Sequence, residues 1–138
     1  MSYWQLFYHL VWSTKNHEPL ITSSAEPIIY AFLRAKAVAL GGSVFAVNGT
    51  ADHVHMIVSI PPTIAISTFI GQVKGVSSSR YNKGRTDAEN RFAWQAQYGV
   101  FSFDGRRLPD IIAYVANQKK HHANGTTIPL LERTDANR

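Results

Sequence analysis

The stretch Ala51-Asp52-His53-Val54-His55-Met56-Ile57-Val58-Ser59-Ile60 constrains the fold more than any other part of the chain. It reads as one β-strand. Successive strand side chains point to opposite sides, so His53, His55, Ile57 and Ser59 share one face and Val54, Met56, Val58 and Ile60 take the other. One face is apolar throughout and needs a cover; the other presents two imidazoles side by side. Two neutral imidazoles two residues apart on a strand can bind one metal ion, which makes them two ligands of a site. A bare His-x-His is also what hydrogen-bonded strand histidines look like, so its meaning rests on the rest of the chain.

Taken in order, residues 3–14 are rich in aromatic and β-branched side chains and read as a first strand, with Leu6, Tyr8, Leu10 and Trp12 on one side and Phe7, His9 and Val11 on the other. Apolar residues on both faces make it a central strand. Lys15-Asn16-His17-Glu18-Pro19 is a polar turn. A helix starts near Ser23 or Ser24, either of which can cap it, and buries Ile28, Ile29, Phe32, Leu33, Ala37 and Leu40 before Gly41-Gly42 ends it. Residues 43–48 form a second strand that turns through Gly49-Thr50-Ala51-Asp52 into the histidine strand. Pro61-Pro62 stops that strand, and residues 63–81 form a second helix with Ile66, Phe69, Ile70, Val73 and Val76 as its buried stripe. Residues 82–90 are a charged loop. Residues 92–94 and 98–103 are an interrupted strand, and Asp104-Gly105 turns the chain. Leu108, Ile111, Ile112 and Val115 then define a third helix, opened by Pro109 and running to about His122.

Strand, helix, strand, strand, helix, strand and an extra helix is the split βαβ order, an α+β, ferredoxin-like (RRM-like) antiparallel sheet. The first and third strands are central in it, with two helices on one face. The imidazole face is then free, if Val54, Met56 and Val58 pack under the helices. Residues 1–122 form a single domain and residues 123–138 a loose polar tail, of which residues 128–131 can dock.

Fourteen Lys and Arg against nine Asp and Glu give a net charge of +5, which favours a polyanionic partner, nucleic acid first. The absence of cysteine excludes disulfides, thiolate metal ligands and thiol catalysis. With no signal peptide and no membrane-length apolar run, the expected location is the cytoplasm.

On the third helix Tyr114 and Gln118 are four residues apart and share a face. His53-Val54-His55 followed by Tyr114-Val115-Ala116-Asn117-Gln118 resembles the single-tyrosine HUH transposases of small bacterial insertion sequences and their domesticated, repeat-associated relatives. The surroundings are similar in kind and position: Tyr8-His9-Leu10-Val11-Trp12-Ser13-Thr14, Asp52 ahead of the histidines, Pro61-Pro62, Lys74-Gly75 with Ser77-Ser78-Ser79, and Trp94 before Gln97-Tyr98-Gly99. The resemblance spans residues 3–122. The longer Gly-rich hinge of some members is missing before the tyrosine helix.

The resemblance implies that His53, His55 and Gln118 hold a divalent ion and that Tyr114 is the nucleophile. It implies cleavage and rejoining of single-stranded DNA at hairpin-marked ends through a 5′-phosphotyrosine, by a homodimer in which the tyrosine helix can complete the partner's histidine pair. The enzyme is expected to work at the nucleoid. Imidazole suits zinc, but a neutral amide and substrate oxygens favour Mg2+ or Mn2+. Lys74, Arg80, Lys83, Arg106, Arg107 and Lys119 are candidate phosphate contacts, and Trp94 or Tyr98 can stack on unpaired bases. Two competing expectations are a domesticated repeat-processing nuclease and a module that binds single-stranded nucleic acid without cutting it. His17, His121 and His122 receive no role, because consecutive helical residues diverge by about 100° and chelate poorly.

Overall fold

A computed structural model describes residues 2–85 and 91–135. Its elements are β1 (Phe7–Ser13), α1 (Glu26–Ala39), β2 (Ser43–Gly49), β3 (His53–Ser59), α2 (Ile66–Asn82), β4 (Gly99–Phe103), α3 (Leu108–Ala116) and α4 (Gln118–Asn124). Short 3-10 turns cover Lys15–His17, Gly105–Arg107 and Pro129–Glu132. The sheet is antiparallel in the order β2-β3-β1-β4, so the first and third strands are central as the split βαβ order requires. Residues 86–90 of the expected charged loop lie outside the described residues.

The alternation of β1 and β3 separates two cores. Leu10, Trp12, Val54, Met56 and Val58 pack under α1 and α2 with Ile29, Leu33, Phe69, Ile70 and Val73. The opposite face is not free. Ile111, Tyr114 and Val115 of α3 lie across Ala46 and Ile57, with Leu131 of the C-terminal segment packed against them. The apolar stripe that the sequence shows in α3 thus needs this second sheet face, because α1 and α2 already fill the first.

Several boundaries differ from the sequence reading. Neither Ser23 nor Ser24 caps α1; Thr22 Oγ1 accepts from Ala25 N at 3.2 Å, and Pro27 stands in the first turn. The double proline holds residues 61–64 in a turn, with Ile64 N on Pro61 O at 3.4 Å, so α2 begins at Ile66. Val76 is only half-buried on that helix, whereas Lys74 and Ser77 are buried. Trp94 joins the sheet by a single bridge to Thr14, and β4 starts at Gly99.

The expected third helix is two helices. Asn117 (φ −103°, ψ 20°) breaks it, its side-chain amide donating to Ala113 O at 2.8 Å. Asn48 Nδ2 meanwhile takes Val115 O and Ala116 O, both at 3.0 Å, carbonyls that a continuous helix would use itself. The bend lets α4 run beside the start of β3.

Gly125, in the left-handed region at φ 65°, ends α4 and returns the chain toward the sheet. The tail then passes so close to β4 that a Cβ on Gly99 would sit 2.0 Å from Arg133 O. Only a glycine leaves room for that backbone.

Candidate active site

Each histidine of the pair is oriented by its Nδ1. His53 Nδ1 lies 2.9 Å from Asp52 Oδ1 and 2.8 Å from Thr50 Oγ1, in the turn that joins β2 to β3. His55 Nδ1 lies 2.7 Å from His9 Nε2 of β1. Both rings therefore present Nε2 to the same space under α3 and α4. His53 Nε2 is 3.4 Å from Gln118 Oε1. The expected ligand trio of His53, His55 and Gln118 converges, although Gln118 sits across the break from Tyr114.

Two further residues reach the same point. His122 Nε2 is 3.1 Å from Gln118 Oε1 and 3.0 Å from Glu132 Oε1. Glu132 Oε1 is also 3.1 Å from His55 Nε2 and 3.3 Å from His53 Nε2. Its other oxygen, Oε2, accepts the Tyr114 hydroxyl at 2.5 Å, and Tyr114 OH accepts from Ile128 N at 2.9 Å. Tyr114 is thus buried but adjacent to the imidazoles of its own chain, with its ring 6.2 Å from that of His55.

The 100° divergence of consecutive helical residues does hold for His121 and His122, but it separates their roles. His121 stacks on Tyr114 at 4.8 Å, while His122, one turn beyond Gln118, faces the cluster. Spacing of i, i+4 from Gln118 is the signal that could have found His122. Glu132 lies in a tail without periodicity, and nothing local in the sequence marks it.

Electrostatics follow from this packing. Burial opposes charge on His53, but its bonds to Glu132 and Asp52 outweigh that and raise its pKa. Burial lowers the pKa of His55, and that of His9 to about 3. Burial alone would raise Glu132, yet the imidazoles and the Tyr114 hydroxyl hold it well below the carboxylate range. Burial, and then the neighbouring Glu132 carboxylate, raise the phenol of Tyr114.

The donor set fits a small divalent cation. Ligand atoms of His53, His55, His122 and Glu132 all lie within 4.8 Å of one another. Two metal–ligand bonds of about 2.1 Å span about 4.2 Å, so a contraction of a few tenths of an ångström brings them to one ion.

The candidate phosphate contacts divide. Lys74 is buried, and its ammonium donates to Gln95 O at 2.7 Å and Gln97 O at 3.0 Å. It fastens a loop and is not free to follow a phosphate backbone. Burial lowers its pKa to about 8, so the ammonium still dominates at neutral pH. Lys74→Met is expected to lower unfolding free energy by about 2 kcal/mol, the scale of hydrogen bonds from a charged group, measured by urea titration.

Lys119 is held by Glu26 and Asn48, both at 2.8 Å, and Arg106 pairs with Asp104 at 3.0 Å. Arg107 is exposed below α3. Arg80 and Lys83 are exposed and line a cleft of about 830 Å³ together with Arg91 and Gln95. Trp94 is a packing residue: Nε1 donates to Ser77 Oγ at 3.0 Å, and the ring meets Trp12 and Phe92 edge-on. Tyr98 is half-buried against the first core and lies near the Lys74 ammonium.

The family model for IS200-like transposases matches residues 2–118. The chain belongs to this family. The match ends at Gln118, so His122 and Glu132 lie beyond it. Among curated relatives, the transposase of insertion sequence IS200 from Salmonella typhimurium is 24% identical over 131 residues, 92% of this chain and 86% of that protein. The ISDra2 transposase TnpA of Deinococcus radiodurans is 25% identical over 119 residues, 83% of this chain and 85% of that protein.

Solved structures agree on the fold of this IS200-like protein. A Deinococcus radiodurans transposase superposes with a TM-score of 0.68 at 24% identity, covering 86% of this chain and 95% of that one. A REP-associated tyrosine transposase bound to a REP hairpin gives 0.62 at 10% identity, covering 92% and 76%. Among the described residues no helix is long and apolar enough to cross a membrane.

Proposed function

We propose that this protein is a single-strand DNA transposase that uses Tyr114 to cut and rejoin DNA at hairpin-marked ends. The observation that carries this reading is the meeting of the Tyr114 hydroxyl and the Nε2 atoms of His53 and His55 on one carboxylate, Glu132. Binding alone needs no phenol beside an imidazole cluster. The hairpin bound to the REP-associated relative supports the same class of DNA partner.

In this reading His53, His55 and Gln118 hold a divalent cation, Mg2+ or Mn2+, with His122 and Glu132 within reach of it. A cation held there would supply Lewis-acid neutralisation of the phosphate's charge. Asp52 holds the His53 imidazole in place. Tyr114 starts as a neutral phenol whose proton already points at Glu132 Oε2, the nearest acceptor for it during attack. The new bond joins Tyr114 oxygen to phosphorus and the bond to the 3′ oxygen breaks; the phenol proton goes to Glu132, the leaving 3′ oxygen takes one from solvent, and the products are a 5′-phosphotyrosine and a free 3′-hydroxyl. The phosphodiester energy stays in the adduct, so a 3′-hydroxyl can reverse the step without ATP.

The strand follows the cleft lined by Arg80, Lys83 and Arg91. Gln95 also lines the hollow that contains Glu132, the carboxylate bonded to Tyr114. A homodimer, as the resemblance implies, supplies two such sites for the two ends of an element, acting at the nucleoid in the cytoplasm. Tyr114 reaches its own chain's histidines in this arrangement, so exchange of tyrosine helices is a step for rejoining and is not needed for the first cut.

The test is incubation of a labelled single-stranded hairpin with the protein and Mg2+, then proteolysis and mass spectrometry of any covalent product. A DNA phosphate on the peptide containing Tyr114, formed with Mg2+ and absent with EDTA, is the expected result. Attachment to another peptide, or tight hairpin binding with no adduct, overturns it; the second outcome favours a binding module.

A further inference from the structure

We propose that His9 is a positioning residue for metal binding: by accepting a hydrogen bond from His55 Nδ1, it keeps the His55 Nε2 lone pair aimed into the cation site. The proposal rests on the metal role given above to His53 and His55.

His9 is a polar ring in an apolar niche. It is fully buried on β1, packed edge-on against Phe101 at 6.0 Å, with the Tyr114 ring at 6.4 Å. Among the described residues its ring bonds through Nε2 to His55 Nδ1 at 2.7 Å, while its own Nδ1 is buried with no partner. A buried polar atom left unpaired costs about 1–3 kcal/mol, and an apolar pair of rings in place of His9 and His55 would carry no such cost. A group retained at that cost needs an account, and the account lies in what its other nitrogen does.

A neutral imidazole carries one N–H. For Nε2 of His55 to offer its lone pair to a cation, the proton has to reside on Nδ1, where it needs an acceptor. The corresponding nitrogen of His53 has Asp52 Oδ1 at 2.9 Å. The Nδ1 of His55 has His9 Nε2 at 2.7 Å in that place. With His9 accepting through Nε2, the His9 proton sits on Nδ1, which is the unpaired atom. The orphaned nitrogen is therefore the cost of fixing the His55 tautomer. His9 is placed for this by the register of the sheet: it pairs with Ile57, two residues along β3 from His55 and on the same face.

The test measures Mn2+ affinity of wild type, His9→Leu and His9→Gln by the EPR signal of the free ion, with thermal unfolding alongside. His9→Leu is expected to bind Mn2+ about 10–100-fold more weakly while still melting cooperatively, and His9→Gln, whose Oε1 can accept from Nδ1, to restore most of the affinity. In wild type loaded with Mg2+, 15N spectra are expected to place the His9 proton on Nδ1, leaving its Nε2 to accept from His55. Unchanged affinity in His9→Leu overturns the proposal, as does a proton on His9 Nε2 in the loaded protein, which would make His9 the donor. Equal loss in both variants overturns it in favour of packing. Should His9→Leu fail to fold, the wild-type tautomer decides. A wild type that takes up no Mn2+ sinks the metal reading itself, which separates that failure from this one.

Discussion

Tyr114→Phe is expected to abolish the covalent DNA adduct, by at least about 10³-fold, while leaving the fold and Mn2+ uptake in place. The substitution removes one oxygen and keeps the ring that packs over Ile57 and against His121. What it releases is local: Glu132 Oε2 loses a donor and Ile128 N loses an acceptor. Two hydrogen bonds at a partly solvated position amount to about 1–2 kcal/mol, too little to unfold a domain of this size. A large loss of adduct with a small loss of stability separates chemistry from architecture. The check is a denaturing gel of protein and labelled hairpin beside a thermal melt. An adduct that persists in Tyr114→Phe would show that another group attacks the phosphate.

The sheet was legible because its signals are periodic. Alternation in residues 53–60 set both faces of β3, and apolar residues on both faces of residues 7–13 set β1 at the centre. Spacing placed His53 and His55 on one strand face and Tyr114 and Gln118 on one helical face, but it was the resemblance that joined the two pairs into one candidate site. What escaped were effects of tertiary contact. The break at Asn117 depends on Asn48 reaching across from β2 to take the carbonyls of Val115 and Ala116. Helical periodicity alone contains no trace of that.

Glu132 escaped for a related reason. Its carboxylate reaches the cluster because Leu131 docks on the second core and because Gly99 leaves room for Arg133 O. Each of those facts is non-local, and the flanking residues read as tail. The basic residues misled in the opposite direction. Lys74 counts as positive charge in composition, yet its ammonium is consumed by carbonyls of the Gln95 to Gln97 loop, and Lys119 is held by Glu26 and Asn48. Net charge indicates the class of partner without saying which side chains meet it.

His55→Ala tests the other half of the site and is expected to lower Mn2+ affinity by more than about 100-fold, beyond the range seen when only an outer partner is lost. Adduct formation should fall below detection with it. His55 is fully buried, so the change also leaves a cavity and removes the His55 Nδ1 contact of His9 Nε2. A cost of about 2–4 kcal/mol in stability accompanies it, and a melt has to be read beside the binding curve. His122→Ala provides the contrast, because His122 is a third exposed at the end of α4 and its loss opens no core. If His53 and His55 anchor the ion while His122 only helps to close the cluster, the second variant keeps most of the affinity and of the adduct. Equal collapse in both would instead make the helix α4 histidine a full ligand, and would move the metal centre away from the strand toward the tail.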